Sequence, residues 1–251
     1  MFRWLMAAGL AMGVAGCDVP QSGATLPRAD GPSAPVVQAS DLPTQLTPQM
    51  AARNFITVAQ RMEPQIEAEC EERTAGQGRS CDYQIVVDDR PDQAPNAFQT
   101  LNDEGDPIVA FNLALIATAQ NMDELAFVMG HEAAHHIAAH IPRTENTALT
   151  GALILGTLVA AAGGDETSIR TAQEYGASVG ARAYSQDFEL EADRLGTILT
   201  WNAGFDPERG ALFFERLGDP GDTFLGTHPG NARRLSVVRE TVARLRSGAE
   251  S

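Results

Sequence analysis

The sequence contains no lysine, so arginine supplies all 18 of its basic residues, against 33 Asp and Glu residues and a formal net charge of −15 among 251 residues. A chain this acidic lacks the basic surface that binds nucleic-acid phosphates, and it would not adhere electrostatically to anionic lipid. We therefore expect no nucleic-acid partner. The acidity favours solubility and does not identify a substrate.

Hydrophobic runs long enough to cross a membrane are also missing. The run from Trp4 to Gly16 follows Arg3 and has about a dozen apolar residues, whereas a spanning helix needs about 20. This pattern is typical of a signal peptide, here residues 1–16. A second apolar run, residues 148–163, is short and contains threonine. We interpret it as a buried helix or a mobile cover near the active site rather than a membrane insertion.

Cysteine is scarce, with three residues in the chain. The sequence V-A-G-C that ends at Cys17 resembles a bacterial lipobox, in which the cysteine is lipidated and becomes the mature N-terminus. An ordinary secretory signal with an incidental cysteine is the alternative. Residues 17–46 are rich in Pro, Ser, Gly and Asp, which predicts a disordered tether. We expect a lipid-anchored protein on the periplasmic side of the cell envelope, and Asp18 weakly favours the inner membrane over the outer.

The two other cysteines, Cys70 and Cys81, form a possible disulfide. If Cys17 carries lipid, they are left as a pair in an oxidising compartment. Two free thiols are the alternative. Neither cysteine lies near the cluster of histidine and glutamate described next, so we expect no metal-binding role for them.

The central motif is H-E-x-x-H at His131, Glu132 and His135. On a helix the two histidines lie one turn apart on the same face, about 6 Å along the axis. Two imidazoles so placed reach one Zn²⁺ at roughly 2.0–2.1 Å. Glu132 lies beside them, where a carboxylate takes a proton from metal-bound water. The motif indicates a zinc-dependent hydrolase of peptide bonds.

The sequence around this motif is helical in pattern. Asn121 can cap a helix whose first turn contains Asp123 and Glu124, where negative charge suits the helix dipole. His136 and His140 are also four residues apart, but Ile137 stands where a glutamate would be needed. We therefore expect these two histidines to pack in the core or to hydrogen-bond a metal ligand, and not to bind metal themselves.

A third zinc ligand is expected further along the chain, because a catalytic zinc site has three protein ligands and one open position. The segment D-F-E-L-E-A-D places Glu189 and Asp193 four residues apart on a predicted helix. Glu189 can bind the metal, and Asp193 can accept the free ring N–H of a ligand histidine, fixing its tautomer. The alternative is an acidic face exposed to solvent.

Three short β-rich segments precede the H-E-x-x-H helix: residues 83–87, 96–100 and 108–111, the last two joined by turn residues 102–106. They predict a small sheet. We assign 96–100 as an edge strand that binds an extended peptide; a purely structural hairpin is the alternative.

Most of the remaining chain has helical periodicity. Thr47 and Pro48 begin a helix that Pro64 should kink or break. Further helices are predicted over residues 166–203, from Asp206-Pro207 through Phe213 and Phe214, and over 231–246. The predicted fold is mainly α with a small β-sheet (α+β), and residues 47–247 form a single domain.

Four motifs together resemble the HtpX/BepA-like zinc metallopeptidases, gluzincins related to the CAAX prenyl proteases. They are H-E-x-x-H, E-x-x-x-D at Glu189 to Asp193, Asn96-Ala97-Phe98, and Thr227-His228-Pro229. They occur in the family's order and spacing, and the resemblance spans roughly residues 48–246. The chain departs from HtpX in lacking transmembrane helices and from BepA in lacking a C-terminal tetratricopeptide array.

The resemblance implies a gluzincin-like zinc endopeptidase acting on envelope polypeptides, such as misfolded or unassembled ones. One Zn²⁺ per chain would be held by His131, His135 and Glu189, with Glu132 as general base and acid and Asp193 behind a ligand histidine. His228 and Arg234 would stabilise the oxyanion, or His228 would occupy the open zinc position in a latent form. A latent or inactive zinc-binding chaperone or assembly factor, and a structural lipoprotein with a coincidental motif, are the alternatives.

Overall fold

A computed structural model describes residues 46–183, 185–216 and 230–249. Several predicted features therefore lie outside the described residues. They are the signal peptide, Cys17, Asp18, nearly all of the tether, and Thr227-His228-Pro229.

The described chain is mainly helical with one small sheet, which confirms the predicted fold class. In chain order the elements are α1 (Pro48–Arg73), β1 (Gln84–Asp88), β2 (Ala97–Leu101), β3 (Pro107–Asn112), α2 (Leu113–Thr118), α3 (Met122–Ile137), α4 (His140–Ala161), α5 (Glu166–Ala183), α6 (Ser185–Asn202), α7 (Pro207–Ala211), α8 (Phe213–Arg216) and α9 (Asn231–Ser247).

The sheet has the order β1-β3-β2, with β1 parallel and β2 antiparallel to β3. The central strand β3 is the most buried, since Val109 and Phe111 are in the core. The turn between β2 and β3 is held by Asn102, whose Oδ1 accepts from the backbone N–H groups of Glu104 and Asp106. The three predicted strands are confirmed, and β2 lies at an edge of the described sheet.

Helix α1 begins as predicted, with the Thr47 hydroxyl accepting from the backbone N–H of Met50. The helix is not broken at Pro64, which lies inside it. Pro64 is exposed, so its missing N–H falls on the solvent side of the helix. Met62 and Ile66 on either side of it are fully buried, and their packing against the core offsets the lost hydrogen bond.

Helix α3 is the most deeply buried helix around the site. Asn121 caps it as predicted, accepting from the backbone N–H of Glu124. Its first-turn acids are not solvated, because Asp123 and Glu124 are both buried and pair with Arg209 and Arg216. The sequence placed these carboxylates correctly at the helix start but did not show that arginines from the later helices α7 and α8 neutralise them.

Helices α4 and α5 form a long hairpin, and here the expectation of a buried helix is wrong. Only His140 and Gly156 of α4 are buried, and the large apolar side chains of the 148–163 run are more than half exposed: Leu149, Leu153, Ile154 and Leu158. The two helices touch backbone to backbone, since a Cβ added to Gly151 would lie 2.1 Å from the Gly176 carbonyl oxygen. The small residues of the run therefore serve helix–helix contact within the hairpin.

The second half of the chain contains more helices than predicted. Residues 166–203 form two helices, α5 and α6, rather than one. Phe213 and Phe214 lie in a separate short helix, α8, after α7, and α9 covers the predicted 231–246. Over the described residues, none of the helices combines the length and the apolar character that crossing a membrane requires.

Candidate metal centre

The two histidines of α3 and one glutamate of α6 converge on a common point. His131, His135 and Glu189 each offer a ligand atom within 4.8 Å of the others. The Nε2 atoms of His131 and His135 are 3.2 Å apart. Glu189 places one oxygen 3.4 Å from His131 Nε2 and the other 3.5 Å from His135 Nε2.

These separations fit the ligand shell of a zinc ion. Ligands at about 2.0–2.1 Å in a tetrahedral arrangement lie roughly 3.3–3.4 Å from one another. The gap between the two histidine nitrogens, and the gap from each nitrogen to its nearer Glu189 oxygen, are close to that value. Two imidazole nitrogens and one carboxylate are also the donor set of several catalytic zinc sites. The arrangement can therefore hold Zn²⁺ with one position open to water.

Helices α3 and α6 come close enough for this because glycines face each other where they cross. A Cβ added to Gly130 would lie 2.9 Å from the Gly196 carbonyl oxygen, and one added to Gly196 would lie 2.8 Å from the His131 backbone nitrogen. The helix backbones are thus in contact directly beside His131. Because of this contact, Glu189, which lies two turns before Gly196 on α6, lies close to the two histidines.

Asp193 supports His131 from behind. Its Oδ1 lies 2.9 Å from His131 Nδ1, and the carboxylate is fully buried. Arg234 of α9 donates to both Asp193 oxygens, at 2.8 Å from Nε and 2.6 Å from Nη2, and stacks on the ring of Phe214. With Nδ1 held in this way, His131 directs Nε2 at the other two ligands.

His135 is supported by another histidine. Its Nδ1 lies 2.8 Å from Nδ1 of His140, whose Nε2 lies 3.2 Å from an oxygen of Glu191. The remaining histidine of the cluster, His136, is engaged elsewhere: its Nε2 lies 2.7 Å from the Ser80 carbonyl oxygen. His136 and His140 therefore lie outside the ligand set, as expected, and His140 hydrogen-bonds a candidate ligand, which is one of the two roles expected for it.

The charges of the site follow from burial and these contacts. Burial lowers the pKa of His131, but the hydrogen bonds to Asp193 and Glu189 outweigh it and raise that pKa well above the ordinary value. Burial, followed by the nearby charge of His131, lowers the pKa of His135. Burial raises the pKa of Asp193, yet the hydrogen bonds from Arg234 and His131 bring it below its usual value. Asp193 is thus the charged partner of both Arg234 and His131.

Glu132 lines an open cleft of about 490 Å³ together with the three candidate ligands. The lining also includes Asn96 and, from β2, Ala97, Phe98 and Gln99. The cleft is therefore lined by both the H-E-x-x-H helix and the edge strand β2.

A disulfide joins Cys70 at the end of α1 to Cys81 in the following loop. The loop lies against the C-terminal end of α3, where Arg79 donates to the carbonyl oxygens of His136 and Ile137. These contacts neutralise the negative end of the α3 dipole. The disulfide thus fixes a segment that holds the end of the histidine helix.

The structure brings together nine of the residues singled out in the sequence: Asn96, Ala97, Phe98, His131, Glu132, His135, Glu189, Asp193 and Arg234. His228 and Cys17 lie outside the described residues. Glu191 was missed, whereas His140 takes one of the two roles expected for it, a hydrogen bond to a ligand histidine. Five residues after His135, a position in a continuous helix lies about 140° away around the axis, so spacing alone could not predict the contact.

An H-E-x-x-H helix joined by a carboxylate from a second helix, both facing a cleft beside an edge strand, defines a metalloprotease domain. The family comparison agrees. The chain belongs to peptidase family M48, whose family model matches residues 59–242.

Curated relatives include proteases from bacteria and from mitochondria. The chain is 30% identical over 152 residues to the beta-barrel assembly-enhancing protease of Escherichia coli O157:H7, covering 55% of this chain and 31% of that protein. It is 30% identical over 156 residues to the mitochondrial metalloendopeptidase OMA1 of Schizosaccharomyces pombe, covering 59% of this chain and 44% of that protein. The match therefore spans less than half the length of either relative.

Proposed function

We propose that this protein is a zinc-dependent endopeptidase that hydrolyses peptide bonds in envelope proteins, with one zinc ion per chain. The observation that carries the proposal is the convergence of His131, His135 and Glu189 at zinc-ligand spacing in a cleft that also holds Glu132. Family membership supports the same chemistry, because M48 peptidases are typically zinc-dependent.

Each residue of the site has its own role in the proposed hydrolysis. When bound, zinc supplies a Lewis acid that lowers the pKa of water toward about 7 and polarises a carbonyl group. Glu132 accepts the proton of the attacking water and delivers it to the leaving amine. Asp193 holds His131 in the tautomer whose Nε2 faces the metal. Stabilisation of the oxyanion by His228 or Arg234 stays a prediction.

The substrate would lie along β2 as an added strand. The Asn112 backbone N–H donates to the Asn96 carbonyl, and Ala97 is opposite Phe111. Backbone groups in an antiparallel pair alternate in direction, so those of Ala97 and Gln99 point away from β3 toward the open edge. These groups are placed to bond an extended peptide in the cleft. Of the three edge residues predicted, Ala97 is therefore the one whose backbone would bind substrate.

Glu132→Gln tests the function directly. We expect the wild-type protein to contain one zinc per chain and to cleave casein. Glu132→Gln should keep the zinc and lose at least about 100-fold in cleavage, because a general base is gone. Glu145→Gln is the matched control, since Glu145 also lines the cleft but lies outside the ligand set, and it should cleave normally.

Other results would overturn the proposal. Equal cleavage by wild type and Glu132→Gln, or purification without zinc, excludes the mechanism. Zinc without cleavage, together with suppression of casein aggregation, would favour the latent chaperone instead.

For location, we propose a lipid anchor at Cys17 on the periplasmic side of the envelope. The lipobox-like sequence and the Cys70–Cys81 disulfide, which is typical of oxidising compartments, support it. Cys17→Ala should release the protein from the membrane fraction of a bacterial host. A role in removing misfolded envelope proteins is tested by asking which proteins accumulate uncut in a Glu132→Gln strain.

A further inference from the structure

His140 is buried, and both of its ring nitrogens are engaged. Nδ1 lies 2.8 Å from Nδ1 of His135, and Nε2 lies 3.2 Å from Oε2 of Glu191. The ring also stacks on Phe188 at 4.6 Å with an angle of 9° between the planes. The imidazole is therefore held in one orientation, between a candidate zinc ligand and a carboxylate.

The backbone between α3 and α4 adopts a disfavoured conformation, and this brings His140 next to His135. Helix α3 ends at Ile137, Ala138 caps it, and Ala139 adopts the left-handed conformation with φ 58° and ψ 38°. That conformation is disfavoured for a residue with a Cβ and is found where the surrounding structure requires it. The reversal turns the chain so that α4 begins with His140 facing back onto His135.

With both imidazoles neutral, the hydrogen-bond chain determines which nitrogen of each ring carries the hydrogen. A carboxylate can only accept, so Nε2 of His140 must donate to Glu191. In a neutral imidazole the other nitrogen then has no hydrogen and must accept. Nδ1 of His135 consequently donates to Nδ1 of His140, which leaves the lone pair of His135 on Nε2, the atom that faces His131 and Glu189.

We propose that His140 is a positioning residue that sets the tautomer and ring orientation of His135 for metal binding, with Glu191 as the terminal acceptor. The inference rests on the metal site of the proposed function. It gives the two histidine ligands different supports: His131 is held directly by Asp193, whereas His135 is held through a second imidazole. Arg143 holds Glu191, the last group of this hydrogen-bond chain, by donating to it at 2.7 Å, and it also stacks on Phe188.

Zinc affinity tests this without reference to cleavage. His140→Phe keeps a flat ring for stacking on Phe188 but removes the acceptor for His135. We expect it to weaken zinc binding by about 10- to 100-fold, measured by competition with a chelating dye. His136→Phe is the matched control, because His136 is a buried neighbour that contacts Ser80 instead, and its zinc affinity should stay within about 3-fold of wild type.

A second variant and a second readout separate positioning from a general loss of structure. Glu191→Ala removes the terminal acceptor at a side chain that is about half exposed, and it should weaken zinc binding in the same direction by a smaller factor. In Co²⁺-substituted protein, both variants should alter the visible ligand-field absorption, whereas His136→Phe should not.

The possible results separate a failure of the positioning role from a failure of the proposed function. Unchanged zinc affinity and Co²⁺ spectra in folded His140→Phe overturn the positioning role alone. If His140→Phe does not fold, unchanged affinity in Glu191→Ala overturns it. Failure of the wild-type protein to bind zinc overturns both, and wild-type zinc binding without cleavage overturns only the endopeptidase.

Discussion

Gly130 of α3 and Gly196 of α6 meet where the two helices cross, with no room for a side chain between their backbones. This contact lies next to His131 and sets the separation between the helix that carries two candidate ligands and the helix that carries the third. The geometry of the metal centre therefore depends on two residues that have no chemical function of their own.

Gly196→Ala should disturb the metal centre although Gly196 is not a candidate ligand. The added Cβ would lie 2.8 Å from the His131 backbone nitrogen and must push the helices apart. We expect zinc affinity to fall at least about 10-fold, with about 1–3 kcal/mol lost in unfolding free energy from overpacking. Dye competition and urea unfolding measure the two effects. Wild-type zinc affinity in this variant would show that the crossing does not set the ligand spacing.

Gly176→Ala makes the same change in the other helix crossing. Its Cβ would lie 2.3 Å from the Gly151 carbonyl oxygen inside the α4–α5 hairpin. We expect faster amide hydrogen exchange in residues 140–183, because the hairpin loosens, and zinc affinity close to wild type. A large loss of zinc binding here would mean that the hairpin also shapes the site.

Breaking the Asp193–Arg234 ion pair should lower the unfolding free energy more than breaking a surface ion pair. Both side chains are buried, so Arg234→Met would leave the Asp193 carboxylate without its arginine and with only the His131 ring retained of these two partners, at a cost of up to about 3–5 kcal/mol in unfolding free energy. Arg246→Met is the control, because Arg246 is mostly exposed and pairs with Glu208 at the surface, where an ion pair contributes about 0–1 kcal/mol. Similar urea midpoints for the two variants would contradict this difference.

Removing the disulfide should destabilise the fold by up to about 3 kcal/mol, given a sequence separation of 11 residues between the cysteines. The measurement is urea unfolding of wild type with and without reductant, compared with Cys70→Ser/Cys81→Ser. Reductant should lower the wild-type midpoint and leave that of the double variant unchanged. An effect of reductant on both would point to a cause other than this bond.

Zinc itself should stabilise the folded protein. Free zinc at about 100 times its dissociation constant adds about 2.7 kcal/mol if it binds only the folded state. A chelator should therefore lower the melting temperature of wild type and of Glu132→Gln, which keeps its ligands. Glu189→Ala should melt at nearly the same temperature with or without chelator, and a full chelator effect there would exclude Glu189 as a ligand.

Local periodicity predicted much of the site. Helical spacing placed His131 and His135 on one face, and the same rule placed Glu189 beside Asp193. The approach of α6 to α3 does not follow from periodicity; the need for a third zinc ligand suggested it, with a solvent-exposed acidic face as the alternative, and the family resemblance implied it. A hydrogen bond from His140 to a ligand was one of two roles expected for it, but helical spacing could not specify His135 as the partner, because the contact depends on a left-handed residue at Ala139 that its side chain does not favour.

The main error in the fold concerned residues 148–163. A buried helix was one of the two interpretations of this apolar run, the other being a mobile cover, but α4 packs its small residues against α5 and leaves Leu149 and Leu153 exposed. Hydrophobicity alone does not separate a helix buried on all sides from one that packs mainly against a single neighbouring helix. Burial of Asp123 and Glu124 was missed for a related reason, since their arginine partners lie more than 80 residues away in sequence.

The α4–α5 hairpin also bears on how quickly the site can assemble. His135 and Glu189 are separated by the whole hairpin, and closing so long a flexible loop carries an entropic cost that slows folding. A helical hairpin forms from contacts between its own two arms and brings its ends together. We therefore expect α3 and α6 to meet, once the hairpin has formed, across the few residues at its base rather than across its whole length.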